Sequence, residues 1–271
     1  MGGNRKHLAM TITPNKWELD VQGYLNVCNI TSATPRKQLR DFSAGVNDLG
    51  LWNSMVCWPL RSSQNYGSGT TAFSLGGLGV YNGTLTNGPA WTADGLTFDA
   101  TNEYVALPSA SSLQNTLSAI VAFKPDNNAF NQRLVEYSSA TDKYASLAFD
   151  GQNFGGITQG NKLNTTRSGS LSQNQNGSRL LSLGTWRTSA FGQDDLSDSV
   201  YVNGALDAAG ARTGLVARNP TGAASTREIF GASAAMTGAF AATSTTKWSD
   251  AQVAALHSLY KSTLGTGLGL P

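Results

Sequence analysis

Apolar positions recur along the chain at two different periods, and the change comes near residue 50. Trp17, Val21, Tyr24, Leu25 and Cys28 fall at the spacings of one helical face. Thr13-Pro14 predicts the start of that helix, with proline at the first helical position, where its missing N–H does no harm. Thr34-Pro35 predicts a second start, followed by Leu39, Phe42, Val46 and Leu49 on one face and by Gly50 just past the end. The short link from Asn29 to Ala33 makes the two an αα-hairpin. Neither stripe suits water, so the hairpin must pack on the rest of the chain or on another subunit.

From Leu51 onward the period falls to two, punctuated by turn residues. Met55 to Leu60 reads as a first strand. Gly95 to Asp99, Glu103 to Leu107, Leu117 to Lys124, Arg133 to Tyr137 and Tyr144 to Phe149 follow. Arg179 to Leu183, Trp186 to Phe191, Glu228 to Gly231 and Met236 to Ala242 complete the series. Asn82-Gly83, Asn87-Gly88-Pro89, Asp150-Gly151, Asn176-Gly177 and Asn203-Gly204 supply residues that tolerate φ > 0. The last of these predicts a hairpin between Ser199–Val202 and Ala205-Leu206. Short strands with no helix between them predict two antiparallel sheets packed face to face, and the lack of βαβ alternation argues against a parallel sheet.

One helix is well signed near the end. Ser249 is the expected N-cap, Gln252 completes a capping box, and Trp248 can staple onto Val253. Val253, Leu256, Leu259 and Tyr260 form its expected buried face, with Gly265 to end it. Residues Gly265 to Pro271 read as a mobile or partner-bound tail.

Composition then narrows the partners. Charged residues make up 13% of the 271, about half the roughly 25% of an ordinary soluble domain. Lys+Arg total 19 against 17 Asp+Glu and no basic run exceeds two residues, so a nucleic-acid footprint is lacking. The small excess sits in residues 1–50, with six basic and four acidic residues, against thirteen of each in 51–271. No stretch approaches the roughly 18 apolar residues of a membrane span. Met1 to His7 lacks the apolar region of an ordinary secretory signal. Cys28 and Cys57 are expected as buried thiols and not as a disulfide framework.

The ordered features carry a resemblance. Met55-Val56-Cys57-Trp58-Pro59-Leu60 is followed by Tyr81-Asn82-Gly83-Thr84-Leu85, by Gly88-Pro89-Ala90-Trp91, and by the run from Gly95 to Val105. Ser199-Val200-Tyr201-Val202-Asn203-Gly204 comes later, and Gly238-Ala239-Phe240 leads into the helix from Trp248 to Leu256. In this order they resemble a laminin-G-like jelly roll of the concanavalin A-like lectin and glucanase superfamily, over residues 51–263. Ser32-Ala33-Thr34-Pro35-Arg36-Lys37-Gln38-Leu39 and Leu49-Gly50-Leu51-Trp52 resemble the helical lead-in before such jelly rolls in tailed-phage virion proteins. The resemblance implies a mainly β, two-sheet antiparallel jelly-roll sandwich in residues 51–271. It carries an N-terminal helical hairpin in residues 1–50 and a short C-terminal helix.

It also implies what chemistry to look for. Glycanases of that superfamily place two carboxylates close together on one strand, across the scissile bond. Here the glutamates are Glu18, Glu103, Glu136 and Glu228, and none of the strand glutamates has a second acid within four residues on the same strand. Hydrolysis is therefore not expected, and Glu103, Glu136 and Glu228 are expected on solvated strand faces. His7 lies at the terminus, and His257 follows the buried Leu256, so it is expected to face solvent. Cys57 sits in an apolar strand, which raises a thiol pKa and leaves it inert. Two cysteines and two histidines far apart lack zinc-ligand spacing. Asp194-Asp195 with Asp198 is the best oxygen cluster for calcium, but is read as a solvated loop, and Asp99 as a turn residue. Trp91, Trp186 and Tyr66 are the candidate sugar platforms, each weighed against a place in the core. The polar stretch Asn161 to Gly177 reads as a long loop and a contact surface. No catalytic residue, metal ligand or cofactor is assigned.

The expected function is a non-enzymatic phage virion protein, a capsid decoration or a tail or fibre component, assembled in the host cytoplasm. Residues 1–50 would join it to other virion proteins or to sibling subunits in a homo-oligomer, and the jelly roll would share in binding host-surface glycan. The alternative is a glycan-binding adhesin; a glycoside hydrolase stands last.

Overall fold

A computed structural model of the chain describes residues 14–114, 116–127, 132–138, 143–150, 162–167, 173–176, 179, 181–193, 197–211, 226–231 and 235–271. It is the expected two-sheet sandwich with a helical hairpin before it and a helix after it. Helix α1 spans Lys16–Val27 and α2 spans Ala33–Asp48. The first helix starts at Asn15 and not at Thr13-Pro14, because Glu18 reaches back to accept the Asn15 backbone N–H at 2.7 Å. Both helices end in the same way. Ile30 N donates to Leu25 O at 3.0 Å and Leu51 N to Val46 O at 3.1 Å, closing the last turn over a residue in the left-handed region. That residue is Asn29 (φ 51°) after α1 and Gly50 (φ 72°) after α2, so Gly50 plays its expected part.

The strands are β1 Met55–Pro59, β2 Thr71–Ala72, β3 Gly83–Thr86, β4 Ala90–Trp91, β5 Leu96–Asp99 and β6 Tyr104–Ala106. A one-turn helix α3, Ser111–Gln114, precedes β7 Ser118–Pro125, β8 Gln132–Ser138, β9 Lys143–Asp150, β10 Lys162–Arg167 and β11 Gln173–Asn176. Then come β12 Arg187–Gln193, β13 Ser197–Val202, β14 Ala205–Ala211, β15 Thr226–Ile229 and β16 Ala235–Ser244. Helix α4, Asp250–Ser262, follows. The first sheet runs β14-β13-β12-β7-β16-β5-β4, with β1 also paired to β16; the second runs β11-β10-β9-β8-β15-β6-β3-β2. Every described strand pairing is antiparallel.

Alternation along each strand explains the layers. On the first sheet Val56, Trp58, Val121, Phe123, Phe191 and Val200 point into the core between the sheets. Their neighbours Met55, Cys57, Ile120, Ala122, Ala190 and Tyr201 point the other way, into a second cluster with Val21, Leu39, Phe42, Val46 and the inner side of α4. The hairpin stripe is thus covered by the sandwich. Fully burying one such side chain contributes about 1.5–3 kcal/mol, so this layer is a large share of the fold. Phe240 joins its parts, with ring centroids 5.3 Å from Phe42 and 4.8 Å from Tyr260.

Helix α4 begins at Ser249, whose Oγ accepts from Gln252 N at 3.2 Å, as expected. Two expectations beside it fail. His257 is buried and not solvent-facing: its Nδ1 lies 2.8 Å from Thr188 Oγ1, because β12 runs beneath that side of the helix. Residues 265–271 are not a free tail. Leu268 and Leu270 return into the helix-side cluster, and Arg61 Nη1 donates to Leu264 O (3.1 Å) and Thr266 O (2.9 Å).

Other boundaries also moved. The expected loop 161–177 contains β10 and β11, paired antiparallel at Asn164↔Asn176 to Arg167↔Gln173. β11 is the edge strand and β10 lies next to it, and strands held by such backbone pairing need no apolar alternation. Conversely, residues 181–186 form no strand; Arg179 pairs instead with Asp207 at 3.3 Å. Asn203 (φ 51°) and Gly204 (φ 76°) make the expected hairpin turn, whereas Asn82-Gly83 enters β3 directly and Asn82 Oδ1 accepts from Ser74 N at 3.0 Å.

Candidate functional site

The two sheets differ in what lies on their outer faces. The first is covered by the helices. On the second, Leu85, Val105, Val135, Tyr137, Leu147 and Ile229 face the core. Period-two alternation therefore turns Thr84, Thr86, Tyr104, Ala106, Glu136, Ala148 and Glu228 outward. Strand register sets these in a row: Thr84 opposes Ala106, Ala106 opposes Glu228, and Glu228 opposes Glu136. Thr84 is exposed, and Thr86, Tyr104 and Ala106 are half-buried, so one end of the row meets solvent.

At the other end the two glutamates share one arginine. Arg133 Nε lies 3.1 Å from Glu136 Oε2, and Arg133 Nη1 donates to Glu228 Oε1 at 2.8 Å. The carboxylate side chains are 3% and 6% exposed, the arginine 28%. The expectation of solvated glutamates is thus overturned for both. They do turn away from the core, as alternation requires, but Arg133 lies on both and the backbone at Gly231 lies against Glu228. A Cβ at Gly231 would lie 2.0 Å from Glu228 Oε1, so a larger residue there forces that carboxylate to shift. Burial pushes the Glu228 pKa up, and the bond to Arg133 recovers only part of this. Burial alone would lower the Arg133 pKa, but its bond to Glu228 and the charges of both glutamates leave it raised. Like charges directly opposed across a strand pair are destabilising, and here the bridging guanidinium compensates them.

The remaining candidates are scattered. Glu103 is buried at the start of β6, where its Oε2 accepts from Asp99 N at 2.7 Å; it too fails the solvated reading, and burial raises its pKa. Asp99 is a turn residue as expected, bonded to Thr101. Glu18 caps α1. Asp198 is buried in β13 and not in a loop, while Asp194 and Asp195 lie outside the described residues, as does His7. Among the described residues no three His, Cys, Asp or Glu side chains gather as metal ligands. Both cysteines are free and buried; burial pushes Cys28 up to about 12 and raises Cys57 further. Trp186 is buried in the helix-side cluster, and Trp91 packs on the core with its Nε1 donating to Gly69 O at 3.1 Å. Tyr66 alone of the three is exposed, lying edge-on to Phe73.

Sequence reasoning missed Arg133 and Tyr104. The Tyr104 position was legible, since it alternates with the core residue Val105. The cluster was not, because 95 residues separate Arg133 from Glu228.

No family model and no curated protein matches the sequence. Solved structures do match the fold. Trypanosoma rangeli sialidase in complex with 2,3-difluorosialic acid aligns at a TM-score of 0.59 and 12% identity, over 85% of this chain and 39% of that one. The same enzyme with 2,3-difluoro-KDN aligns at 0.58 and 13% identity, over 85% and 40%. The chain thus spans about two fifths of the sialidase chains it matches. Ruminococcus gnavus IT-sialidase CBM40 bound to α2,3-sialyllactose aligns at 0.44 and 12% identity, over 59% and 94%, too loosely to argue from.

Proposed function

We propose that the chain is a carbohydrate-binding jelly roll, and that the outward face of its second sheet is the binding surface. The observation that carries this is the division of labour between the sheets. One outer face is closed by helices, while the other presents Tyr104 beside the hydroxyls of Thr84 and Thr86 and, across β15, the guanidinium of Arg133. An aromatic ring flanked by hydroxyl and guanidinium groups suits a sugar, which offers an apolar C–H face and a rim of hydroxyls. Proteins sharing the fold include an enzyme bound to sialic acid derivatives, which supports a saccharide ligand.

The glutamate pair favours binding over hydrolysis. A glycosidase keeps both carboxyl groups open to the glycosidic bond and to water. Glu136 and Glu228 are both turned onto Arg133 and sealed from solvent. The particle role rests on the helical lead-in. The outward side of α1 supports it: Leu19, Val27 and Val80 are exposed around a groove of about 340 Å³ between α1 and residues 73–82. In the proposal a head or tail protein seats there and the second sheet faces outward.

Calorimetric titration with a polysaccharide panel tests the binding: saturable heat is expected from the full chain and its loss from Tyr104→Ala, whereas flat titrations across the panel would discard this reading. Antibody-gold labelling of intact particles tests the mount. Label over head or tail is expected; its absence would leave a free glycan-binding protein.

A further inference from the structure

We infer that residues 264–271 are a strap that fixes the two walls of the groove between α1 and residues 73–82, and so regulates what seats there. This rests on the reading of that groove as the mount for a partner. One short loop, residues 61–66, holds both walls, and the strap holds the loop.

Each wall is fastened to one of two consecutive buried residues, Gln64 and Asn65. On the helix side Tyr24, which lines the groove, donates its hydroxyl to Gln64 O at 2.7 Å. On the other side Phe73, which also lines it, is clamped at both backbone groups. Asn65 Nδ2 donates to Phe73 O at 3.0 Å, and Asn65 Oδ1 accepts from Phe73 N at 3.2 Å. Buried hydrogen bonds are costly to leave unmade, so a shift of the loop takes Tyr24 and Phe73 with it.

The strap grips the loop through its carbonyls. Leu264 O accepts from Gln64 Nε2 at 2.8 Å and from Arg61 Nη1 at 3.1 Å. Thr266 O accepts from the same Nη1 at 2.9 Å, while Arg61 Nε is anchored on Ala93 O at 2.9 Å. Gln64 is the joint: its backbone oxygen holds α1, and its amide holds the strap and lies 3.3 Å from Gln38 Oε1 on α2. Gly265 lets the strap turn back, since a Cβ there would lie 2.8 Å from carbons of both Leu270 and Tyr260. Leu264, Leu268 and Leu270 then bury their side chains in the helix-side cluster.

A segment held by three leucines and three bonds to one loop opens locally at less cost than the sandwich. With the strap on, both walls are fixed. With it off, Arg61 and Gln64 lose their acceptors and the walls loosen together. Coupling of this kind is reciprocal, so a partner seated between Tyr24 and Phe73 also tightens the strap.

Hydrogen–deuterium exchange of the full chain tests the strap without any partner. In Leu268→Ala/Leu270→Ala the amides of α1 and of residues 73–82 are expected to exchange at least about tenfold faster, while β7 and β12 keep the parent rate. Arg61→Ala, which removes two of the three grips and no groove residue, should speed the same two stretches. Unchanged rates there, in a variant whose residues 264–271 exchange freely, would overturn the inference, and so would acceleration spread equally over β7 and β12. Should the leucine variant not fold, Arg61→Ala is read by the same criteria. Gold counts on particles are expected to fall in the strap variants; counts equal to the parent's would overturn the regulatory part. Particles that never label with the parent chain would sink the mount and leave the exchange rates as they are, which separates the two failures.

Discussion

The two sheets are built from the same alternating strands and differ in what their outer faces meet. The first is apolar on both sides, so its strands read as near-continuous hydrophobic runs: Met55–Pro59 is buried throughout, and so is nearly all of Ser118–Pro125. The second is apolar on one side and carries Thr, Tyr, Arg and Glu on the other. The comparison teaches that a sandwich can spend one outer face on packing and leave the other polar, with the helices deciding which. It also changes the meaning of the hairpin. Residues 1–50 read as an arm in sequence, yet their apolar stripe covers Met55, Cys57 and Phe240.

The largest test of this contrast is removal of residues 1–50. It uncovers the outer apolar face of the first sheet, so the remaining chain is expected to be insoluble or to bind the dye ANS strongly; a monomeric, cooperatively melting product would refute the layer. Phe240→Ala probes the same layer at one point. It deletes the ring between Phe42 and Tyr260 and should cost about 3–5 kcal/mol in denaturant unfolding.

On the second sheet the expected losses have a different origin. Arg133→Ala leaves two buried carboxylates facing each other and should cost about 3 kcal/mol, the lower end for a broken buried ion pair because the arginine is partly exposed. Gly231→Ala pushes a methyl group into the Glu228 carboxylate and should cost about 1–3 kcal/mol. If either variant melts like the parent, the cluster is looser than its distances imply.

The smallest effect is in pH. Burial raises the Glu228 pKa above the ordinary 4.5, so the unfolded chain loses this proton first as pH rises. Stability is then expected to fall as pH climbs from 4.5 through the raised value. Parent and Glu228→Gln should melt alike below that window, with the glutamine variant gaining on the parent above it. A difference that stays constant with pH would mean that Glu228 is not penalised by burial.

Much of the fold was legible in the residues. The helix-side stripes, the first strand, the Asn203-Gly204 turn and the Ser249–Gln252 cap all follow from local chemistry, because spacing and capping act within a few residues. Solvation was not legible. Glu136 alternates with core residues and so reads as an outward side chain, but whether outward means wet depends on tertiary neighbours, Arg133 among them. The polar strands β10 and β11 escaped for a related reason, since their partners are backbone groups and leave no apolar pattern.

By itself, then, the sequence determined the sandwich, its three longer helices and the lack of a membrane-spanning stretch, all of which are set by period and composition. Only the tertiary structure decided which sheet the helices cover, that residues 265–271 return to the core, that His257 is buried, and that Arg133 joins Glu136 to Glu228. Those facts depend on contacts between distant parts of the chain. Burial, charge pairing and the choice of a free face are properties of such contacts, and no local pattern encodes them.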